Sequence, residues 1–284
     1  MSNMNFDKDY LSPKEFAELV GTSPSTLRRY DNNGIFPAAK HGNKNYRGYD
    51  PMQITTFKMV SVLNDLGMSI REIENVSDNR NPEYMLKLLS KHKYEVSDRL
   101  HHLQEAFSII STYIEMLIYG LSATESDIFV SEMPEIRIIL GEKNDFTDTD
   151  GFLSEYIRFC REVHNPIINL SYPIGGCFED MAAFQNEPSQ PTRFYSLDPK
   201  GSDLKKSGLY LVGYTRGYYG VTNDLPARLK LFAEKNGYVF SGPVYNIHLF
   251  NEVSISDPEQ YLLQASASVV DARSGLSGRQ HHLY

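Results

Sequence analysis

The chain has 284 residues, of which 41% are hydrophobic and 23% are charged, and it carries a net charge of −8. This composition is typical of a globular protein, is long enough for two domains with separate cores, and excludes a disordered class. The polar N-terminus lacks the apolar core of a signal peptide, and no window approaches eighteen uninterrupted apolar residues. We therefore predict a cytoplasmic protein without a membrane span.

The two cysteines, Cys160 and Cys177, lie far apart and have no CxxC pattern or histidine partner at ligand spacing. This argues against a disulfide scaffold and against a structural zinc site. His101 and His102 are adjacent, and neighbouring positions on a helix point about 100° apart, so this pair does not predict a metal site. We expect no metal, no cofactor and two reduced core cysteines.

Residues 11 to 80 predict a run of short helices whose starts are marked by capping residues. The stretch Ser12-Pro13-Lys14-Glu15 combines a cap hydroxyl, a proline at the first helical position and a capping-box glutamate. The first helix turns at Gly21-Thr22, and a second follows at once from Pro24 to about Asn32. Two short helices joined by so tight a turn predict a helix-turn-helix.

In such a unit the second helix enters the major groove of DNA, where polar side chains contact phosphates and base edges. The polar residues of this helix are Ser25, Thr26, Arg28, Arg29 and Tyr30. A loop containing Lys44 follows, and its aromatic-basic end, Tyr46-Arg47, predicts a wing that contacts the DNA backbone or minor groove. Between Thr22 and Tyr49 five basic residues accompany one acid, Asp31, so this region is basic although the chain is acidic.

The stretch Pro82–Leu121 predicts a single helix of roughly 60 Å. Its apolar residues recur in alternating steps of four and three. They are Val96, Leu100, Leu103, Phe107, Ile110, Ile114, Leu117 and Leu121. This is the heptad seam that two helices need to pack against each other, so we predict a dimer helix, either antiparallel or parallel. The alternative is an amphipathic helix that lies on its own domain.

Beyond Gly120 the periodicity becomes that of strands, with two helices between them. We predict strands at 127–133, 135–142, 167–178, 193–197, 208–219, 238–250 and 261–270, and helices at 150–163 and 224–236. Gly175-Gly176 suggests a bulge or turn. Two strand-helix-strand-strand units predict an α+β domain with pseudo-twofold symmetry. The predicted organisation is a winged helix-turn-helix domain at 1–80, a dimer helix at 81–121, an α+β domain at 122–271 and an unstructured tail at 272–284.

The order of these motifs across residues 10 to 121 resembles the DNA-binding domain of MerR-family transcription regulators. The resemblance is carried by Leu27 to Pro37, by Asn45 to Tyr49, and by the segment from Ile54 to Ile73. It implies a winged helix-turn-helix homodimer joined by an antiparallel coiled coil. It also implies operator contacts from the second helix through Arg28, Arg29 and Tyr30 and from the wing through Arg47. Such a regulator activates by untwisting and bending an over-long promoter spacer, so it acts on RNA polymerase indirectly through the promoter.

The segment Ser207–Val270 resembles the GyrI-like effector domain, which follows the MerR-type head in multidrug-sensing regulators. Aromatic walls suit flat hydrophobic ligands, and a ring face attracts a cation by about 0.5–2 kcal/mol. The candidate ligand-binding residues are Tyr172, Phe178, Tyr195, Tyr214, Tyr218, Tyr219, Tyr245, Asn246 and Tyr261.

Two departures from the family pattern bear on the effector. Metal- and oxidant-sensing members place cysteines near the end of the dimer helix, whereas residues 77–159 contain none, so we expect no soft-metal or redox effector. Drug-binding relatives carry a buried glutamate after the Val-Tyr of the penultimate strand, where this chain has Asn246. Either another carboxylate takes that role, with Glu155, Glu179 and Glu252 as candidates, or the ligand is neutral.

We therefore expect a homodimeric, ligand-responsive transcription regulator whose partners are double-stranded promoter DNA and a hydrophobic aromatic small molecule. Two alternatives remain at this point: a GyrI-like small-molecule hydrolase, and an architectural DNA-binding protein with an inert effector domain. Because Asn246 stands in place of the acid and no Ser-His or Cys-His pair is suggested, we do not expect an enzyme.

Overall fold

The computed structural model describes residues 10–42, 46–69, 71–73, 75, 81–146, 151–164 and 171–273. The chain divides into two compact units, one ending at His101 and the other beginning at His102. This division falls inside one long helix, whereas the sequence predicted boundaries at both ends of that helix. The predicted tail lies outside the described residues from position 274 onward. None of the described helices is long and apolar enough to cross a membrane.

The N-terminal unit is a small helical domain with a two-stranded hairpin. Its elements are α1 (Pro13–Val20), α2 (Pro24–Asn32), β1 (Lys40–Gly42), β2 (Tyr46–Gly48), α3 (Gln53–Asp65) and the start of α4 (Pro82–Ser122). The predicted capping box is formed at α1, where the Ser12 backbone N–H donates to Glu15 Oε2 at 2.8 Å and the Ser12 hydroxyl accepts from the Glu15 N–H. Ser23 caps α2 through its hydroxyl, which accepts a hydrogen bond from the Thr26 N–H. The two predicted helix starts are therefore present.

The core of this unit is built from aromatic rings. Phe16 stacks on Tyr49 with ring centroids 4.9 Å apart, and Phe36 stacks on the same tyrosine at 5.8 Å. Phe57 of α3 packs edge-on against Phe36 at 5.2 Å. Backbone hydrogen bonds between Leu11 and Tyr49 tie the end of the hairpin to the start of the chain. The hairpin is thereby held on the helices.

Helix α4 has 41 residues and exposes seven of the eight predicted seam residues in the single chain, whereas Leu117 is partly buried against the C-terminal core. Leu103 is 68% exposed and Phe107 is 74% exposed, values that are high for large apolar side chains. On another face of the same helix, Ile109 and Met116 are buried within the C-terminal unit. The helix thus carries two apolar stripes, and only one of them is covered by its own chain.

The described residues of the C-terminal unit form the second half of α4, one eight-stranded sheet and three further helices. Its elements are β3 (Ile128–Met133), β4 (Ile136–Leu140), α5 (Gly151–Glu162), β5 (Ile174–Phe178), α6 (Met181–Asn186), β6 (Arg193–Ser196), β7 (Asp203–Lys205), β8 (Gly208–Arg216), α7 (Leu225–Asn236), β9 (Tyr238–Phe250) and β10 (Leu262–Asp271). A short 3₁₀ turn, Pro258–Gln260, precedes β10.

The strand order reveals an internal duplication. The sheet runs β3-β8-β10-β9-β5-β6-β4-β7, and all of its pairings are antiparallel. In each half the first strand is followed in space by the third and then by the second: β4, β6, β5 in one half and β8, β10, β9 in the other. The second strands, β5 and β9, meet at the centre. The predicted α+β class with duplicated strand-helix-strand-strand units is confirmed.

Two short elements and one pair of glycines differ from the sequence prediction. Helix α6 and strand β7 were not predicted, because six and three residues give too little periodicity to recognise. Gly175 and Gly176 form neither a bulge nor a turn, since they pair in regular register with β6. A Cβ at Gly175 would lie 2.3 Å from the carbonyl oxygen of Asn246, so glycine is needed there for the close approach of two strands.

Candidate functional site

Helix α2 presents a polar surface near its N-terminus. Ser25 is exposed and Thr26 half-buried, and both hydroxyls lie within hydrogen-bond distance of the Ser23 hydroxyl, at 2.7 and 2.9 Å. Arg28 and Arg29 are exposed one turn further along. The four side chains form a candidate surface for phosphate and base contacts.

Tyr30, which the sequence grouped with these residues, lies in the core instead. Its side chain is 5% exposed and its ring centroid lies 6.2 Å from that of Phe57. Leu27, one helical turn earlier, is fully buried on the same side. The spacing of three residues places both on the inner face of α2, so Tyr30 supports the helix, and the guanidinium of Arg29 lies 5.5 Å from the centre of its ring.

The hairpin carries the predicted wing residues. Tyr46 is exposed, whereas Arg47 is half-buried and points back at α2. Arg47 Nε donates to Asp31 Oδ2 at 2.5 Å, and its Nη2 donates to Asn32 Oδ1 at 2.8 Å. Lys44, the remaining predicted wing residue, lies outside the described residues.

Three groups lie within hydrogen-bond distance of the Asp31 carboxylate. His41 Nε2 lies 3.0 Å from Oδ1, and the Ala38 backbone N–H donates to the same oxygen at 2.8 Å, in addition to the bond from Arg47. Burial alone would raise the pKa of Asp31, but these hydrogen bonds outweigh it and hold the pKa below its usual value. Asp31 therefore stays ionised and joins the wing to α2.

The C-terminal unit encloses a cavity of about 700 Å³. Its walls come from α4, α5, β5 with the loop before it, the loop between α6 and β6, strand β6, the loop after β8, and the end of β9 with the loop after it. Most of its large side chains are aromatic. They include Tyr113, Phe152, Tyr156, Tyr172, Tyr218 and Tyr219. The volume falls within the range of small-molecule sites, and rings of this kind suit a flat apolar compound.

Four of the nine predicted ligand residues line this cavity: Tyr172, Tyr218, Tyr219 and Asn246. Four others lie in the hydrophobic core and not on the cavity wall. These are Phe178, Tyr195, Tyr214 and Tyr245. Tyr261 is also buried, and its ring packs against those of Tyr218 and Tyr219 at 6.2 and 5.7 Å. A strand alternates its side chains between two faces, and the sequence did not reveal which face borders the cavity.

Asn246 occupies the position of the expected acid and is held in place by β5. Its side-chain Oδ1 accepts a hydrogen bond of 2.9 Å from the Gly176 backbone N–H. One lone pair of this oxygen is therefore used within the protein, and the amide nitrogen remains as the group that could donate to a ligand.

Of the three carboxylates considered as replacements, Glu252 lines the cavity. Glu155 is bonded by Arg158, and Glu179 forms an exposed ion pair with Lys143 at 3.0 Å; neither is a cavity residue. Glu252 is itself exposed, and its Oε2 accepts a hydrogen bond of 2.5 Å from the Tyr219 hydroxyl. It thus lies at the rim and not in a buried pocket.

The polar end of the cavity is completed by His248. Its ring packs edge-on against Tyr219, with centroids 4.5 Å apart. Burial lowers the pKa of His248 to about 4, with Glu252 opposing this shift, so the imidazole is neutral at neutral pH. Burial and the hydrogen bond to Glu252 raise the pKa of Tyr219. This end of the cavity therefore offers neutral hydrogen-bonding groups beside one rim carboxylate.

Several cavity residues were not predicted from the sequence. Phe152, Tyr156 and Cys160 recur at intervals of four on α5, which places them on one face of that helix. This spacing is visible in the sequence alone and could have predicted a shared helix face. His248 follows Asn246 at the two-residue spacing that puts both on one face of β9. In the described part of the chain, no group of three His, Cys, Asp or Glu side chains is placed to hold a metal ion.

A second buried polar group lies in the core of this unit. Lys205 of β7 donates from Nζ to the Ser266 hydroxyl at 3.0 Å, and the same nitrogen lies 5.1 and 4.9 Å from the ring centres of Tyr210 and Tyr245. Burial lowers the pKa of Lys205 to about 8, although the nearby thiol of Cys177 opposes this. The ammonium is stabilised by one hydroxyl and two ring faces.

The chain is similar to known transcription regulators. Residues 11–79 match the model of the MerR HTH family regulatory protein. Over 257 residues the chain is 24% identical to the multidrug-efflux transporter 2 regulator of Bacillus subtilis strain 168. This alignment covers 89% of this chain and 93% of that protein. It is also 27% identical over 92 residues to the HTH-type transcriptional regulator ZntR homolog of Haemophilus influenzae, covering 31% of this chain and 68% of that protein.

Among solved structures, the chain is similar to EcmrR in a cryo-EM structure of its DNA complex. The alignment covers 91% of this chain and 99% of that one, with 16% identity and a TM-score of 0.39. A crystal structure of HiNmlR bound to promoter DNA aligns with 40% of this chain and 94% of that one, with 19% identity and a TM-score of 0.35.

Proposed function

We propose that this chain, a DNA-binding transcription regulator of the MerR family, is controlled by a hydrophobic aromatic small molecule bound in its C-terminal unit. The observation that carries the proposal is the cavity of about 700 Å³ with aromatic walls. The similarity to a regulator of a multidrug-efflux transporter over 89% of the chain supports it. Since promoter DNA is the target, we place the protein in the cytoplasm.

The ligand is proposed to be flat and largely apolar. Phe152 and Tyr156 of α5 and Tyr172 before β5 supply ring faces and edges against which such a compound packs. Burying apolar ligand surface is favourable by roughly 25 cal/mol per Å², and the few polar groups of the wall fix its orientation. No chemical step on the ligand is proposed.

DNA binding is proposed to require two copies of the chain. Each N-terminal unit offers one helix α2 with Ser25, Thr26, Arg28 and Arg29 on its surface. The exposed seam of α4, including Leu103 and Phe107, is proposed to pack against the same seam of a second copy. Two heads held at a set distance could bend and untwist a promoter, at a cost of several kcal/mol that backbone contacts offset. RNA polymerase would then respond to the altered promoter.

The test is to measure ligand binding and transcription with the same compound. We expect 2-naphthol, as a flat aromatic probe, to bind the wild-type protein in a calorimetric titration and to change transcription from a bound promoter in a purified system. Phe152→Ala should weaken both effects, because Phe152 lines the cavity. Phe129→Ala is the matched control: Phe129 is 42% exposed and Phe152 is 40% exposed, but Phe129 does not line the cavity.

Two results would contradict the proposal. Equal weakening by both substitutions would place the ligand outside this cavity. Binding that leaves transcription unchanged would favour an architectural DNA-binding protein with an inert C-terminal unit.

A further inference from the structure

The imidazole of His248 has no role in holding the fold together through hydrogen bonds. Its Nε2 is buried and has no hydrogen-bond partner in the structure, and no other polar contact of the ring is found among the described residues. Buried polar atoms in native proteins are nearly always paired, so an unpaired one calls for an explanation. His248 also lines the cavity, which places this unpaired group at the proposed ligand site.

The neighbours of His248 are already engaged with one another. The Tyr219 hydroxyl donates to Glu252 Oε2 at 2.5 Å, and Asn246 Oδ1 accepts from the Gly176 N–H at 2.9 Å. Neither pairing uses the imidazole, although Tyr219 packs against it and Asn246 lies two residues away on the same strand. His248 is therefore left as a hydrogen-bonding group that the protein itself does not satisfy.

The cavity offers little charge to offset a buried cationic ligand. Glu252 is the one charged side chain among the described residues that line the cavity, and it is exposed at the rim with Tyr219 bonded to it. Burial keeps the imidazole uncharged at neutral pH, with a pKa of about 4. A neutral imidazole carries a proton on one nitrogen and a lone pair on the other, so it can pair with a hydroxyl or N–H group of a ligand. It cannot offset a buried positive charge.

We infer that His248 determines ligand specificity, and that the cavity selects neutral aromatic compounds whose edge carries a hydroxyl or N–H group that hydrogen-bonds to this imidazole. The inference rests on the proposed function of the cavity. The Tyr219 ring packs edge-on against the imidazole, and we expect a ligand that reaches the buried nitrogen to displace this ring. Tyr219 lies between Gly217 and Gly220, two glycines with positive φ angles, in the loop after β8.

The experiment compares two probes that differ by one hydrogen-bond donor. The full-length protein is titrated with 2-naphthol and with 2-methoxynaphthalene, which has the same rings but no O–H. We expect the wild type to bind 2-naphthol about tenfold more tightly, a difference equal to about 1.4 kcal/mol. In His248→Phe this preference should disappear through loss of 2-naphthol binding, while 2-methoxynaphthalene binding is kept.

His248→Gln provides the conservative control, since an amide restores a donor and an acceptor without the imidazole. It should recover most of the preference for 2-naphthol. If His248→Phe fails to fold, as judged by its thermal unfolding, His248→Leu replaces it, since it also removes both ring nitrogens and should lose the same preference. A second probe pair, quinoline and N-methylquinolinium, tests charge: quinoline should bind at least as tightly as the cation.

The outcomes separate this inference from the proposed function. If the wild type binds both naphthalene probes equally, or binds N-methylquinolinium more tightly than quinoline, the inference is overturned while the aromatic cavity stands. The same holds if His248→Phe weakens both naphthalene probes to the same extent. If the wild type binds none of the four compounds, the proposed function fails and the inference fails with it.

Discussion

Arg47 in the wing hairpin donates a hydrogen bond of 2.5 Å from Nε to Asp31 Oδ2 at the end of helix α2. The sequence predicted Arg47 as a DNA contact, and the structure adds that it joins the wing to the helix proposed to enter the major groove. A second bond, from Nη2 to Asn32, strengthens the link. The loss of Arg47 is therefore expected to affect both DNA binding and the stability of the N-terminal unit, whereas the loss of Arg28 should affect DNA binding alone.

We predict that Arg28→Ala weakens promoter binding by roughly 1–3 kcal/mol and leaves the thermal unfolding of the protein unchanged, because Arg28 is exposed. Arg47→Ala should weaken promoter binding and also lower the free energy of unfolding by about 1–3 kcal/mol, since it removes one donor from the partly buried Asp31 carboxylate and a second from the exposed Asn32 amide oxygen. A gel-shift titration with thermal unfolding of each variant measures both quantities. Unchanged affinity in both variants would contradict the proposed DNA surface.

The Asp31 carboxylate should make the free energy of unfolding depend on pH in acidic solution. The folded-state pKa of Asp31 lies below its usual value, so the unfolded state binds a proton more readily. The stabilisation from Asp31 is present above the ordinary aspartate pKa and is lost as the pH falls through the lower, folded-state pKa. Asp31→Asn should remove this part of the acid dependence. Unfolding curves of both proteins between pH 6 and pH 3 would show the difference, and parallel pH profiles would contradict it.

We predict that Leu103→Asp combined with Ile110→Asp produces monomers, because a charge buried in the seam between two helices would have no partner. Sedimentation measures the result. Leu231→Asp is the matched control: Leu231 of α7 is 50% exposed and Ile110 is 51% exposed, but Leu231 lies outside the seam. A double variant that stays dimeric would show that another surface holds the two copies together.

The two cysteines should differ in their reaction with a maleimide. Cys160 is half-buried on the cavity wall, whereas Cys177 is buried in the core with its pKa raised to about 11. Since the thiolate is the reactive form, Cys160 should be labelled first and Cys177 only as the protein unfolds. Saturating 2-naphthol should slow the labelling of Cys160, as followed by mass spectrometry of peptides. Equal labelling with and without the compound would place its binding site elsewhere.

The buried Lys205 ammonium should make the free energy of unfolding depend on pH in alkaline solution. Its folded-state pKa is about 8, below the ordinary lysine value, so between about pH 8 and pH 10.5 the unfolded state holds more protons. The free energy of unfolding of the wild type should therefore rise with pH in this window relative to Lys205→Met. At pH 7 the methionine variant should be the more stable by up to about 3 kcal/mol, with the gap closing at high pH. A constant gap in denaturant titrations at pH 7 and pH 10 would contradict this account.

Local sequence signals predicted the parts of the fold that depend on neighbours along the chain. The hydroxyl-proline starts of α1 and α2 and the heptad seam of α4 could be read directly, because caps and helical periodicity involve residues within a few positions of one another. The duplicated strand-helix-strand-strand order was readable for the same reason. The short elements α6 and β7 were missed, since they contain too few residues to show a period.

The sequence by itself thus determined the class of fold, the DNA-binding unit and the long helix with its apolar seam. Only the tertiary structure decided which aromatic side chains border the cavity, because neighbouring strands and helices choose which face of a strand is covered. Tyr245 and Asn246 are adjacent in sequence, yet the first is packed beneath Lys205 in the core and the second faces the cavity. The role proposed for His248 also depends on the tertiary structure. It rests on the buried Nε2 having no hydrogen-bond partner, which no pattern of residues along the chain could reveal.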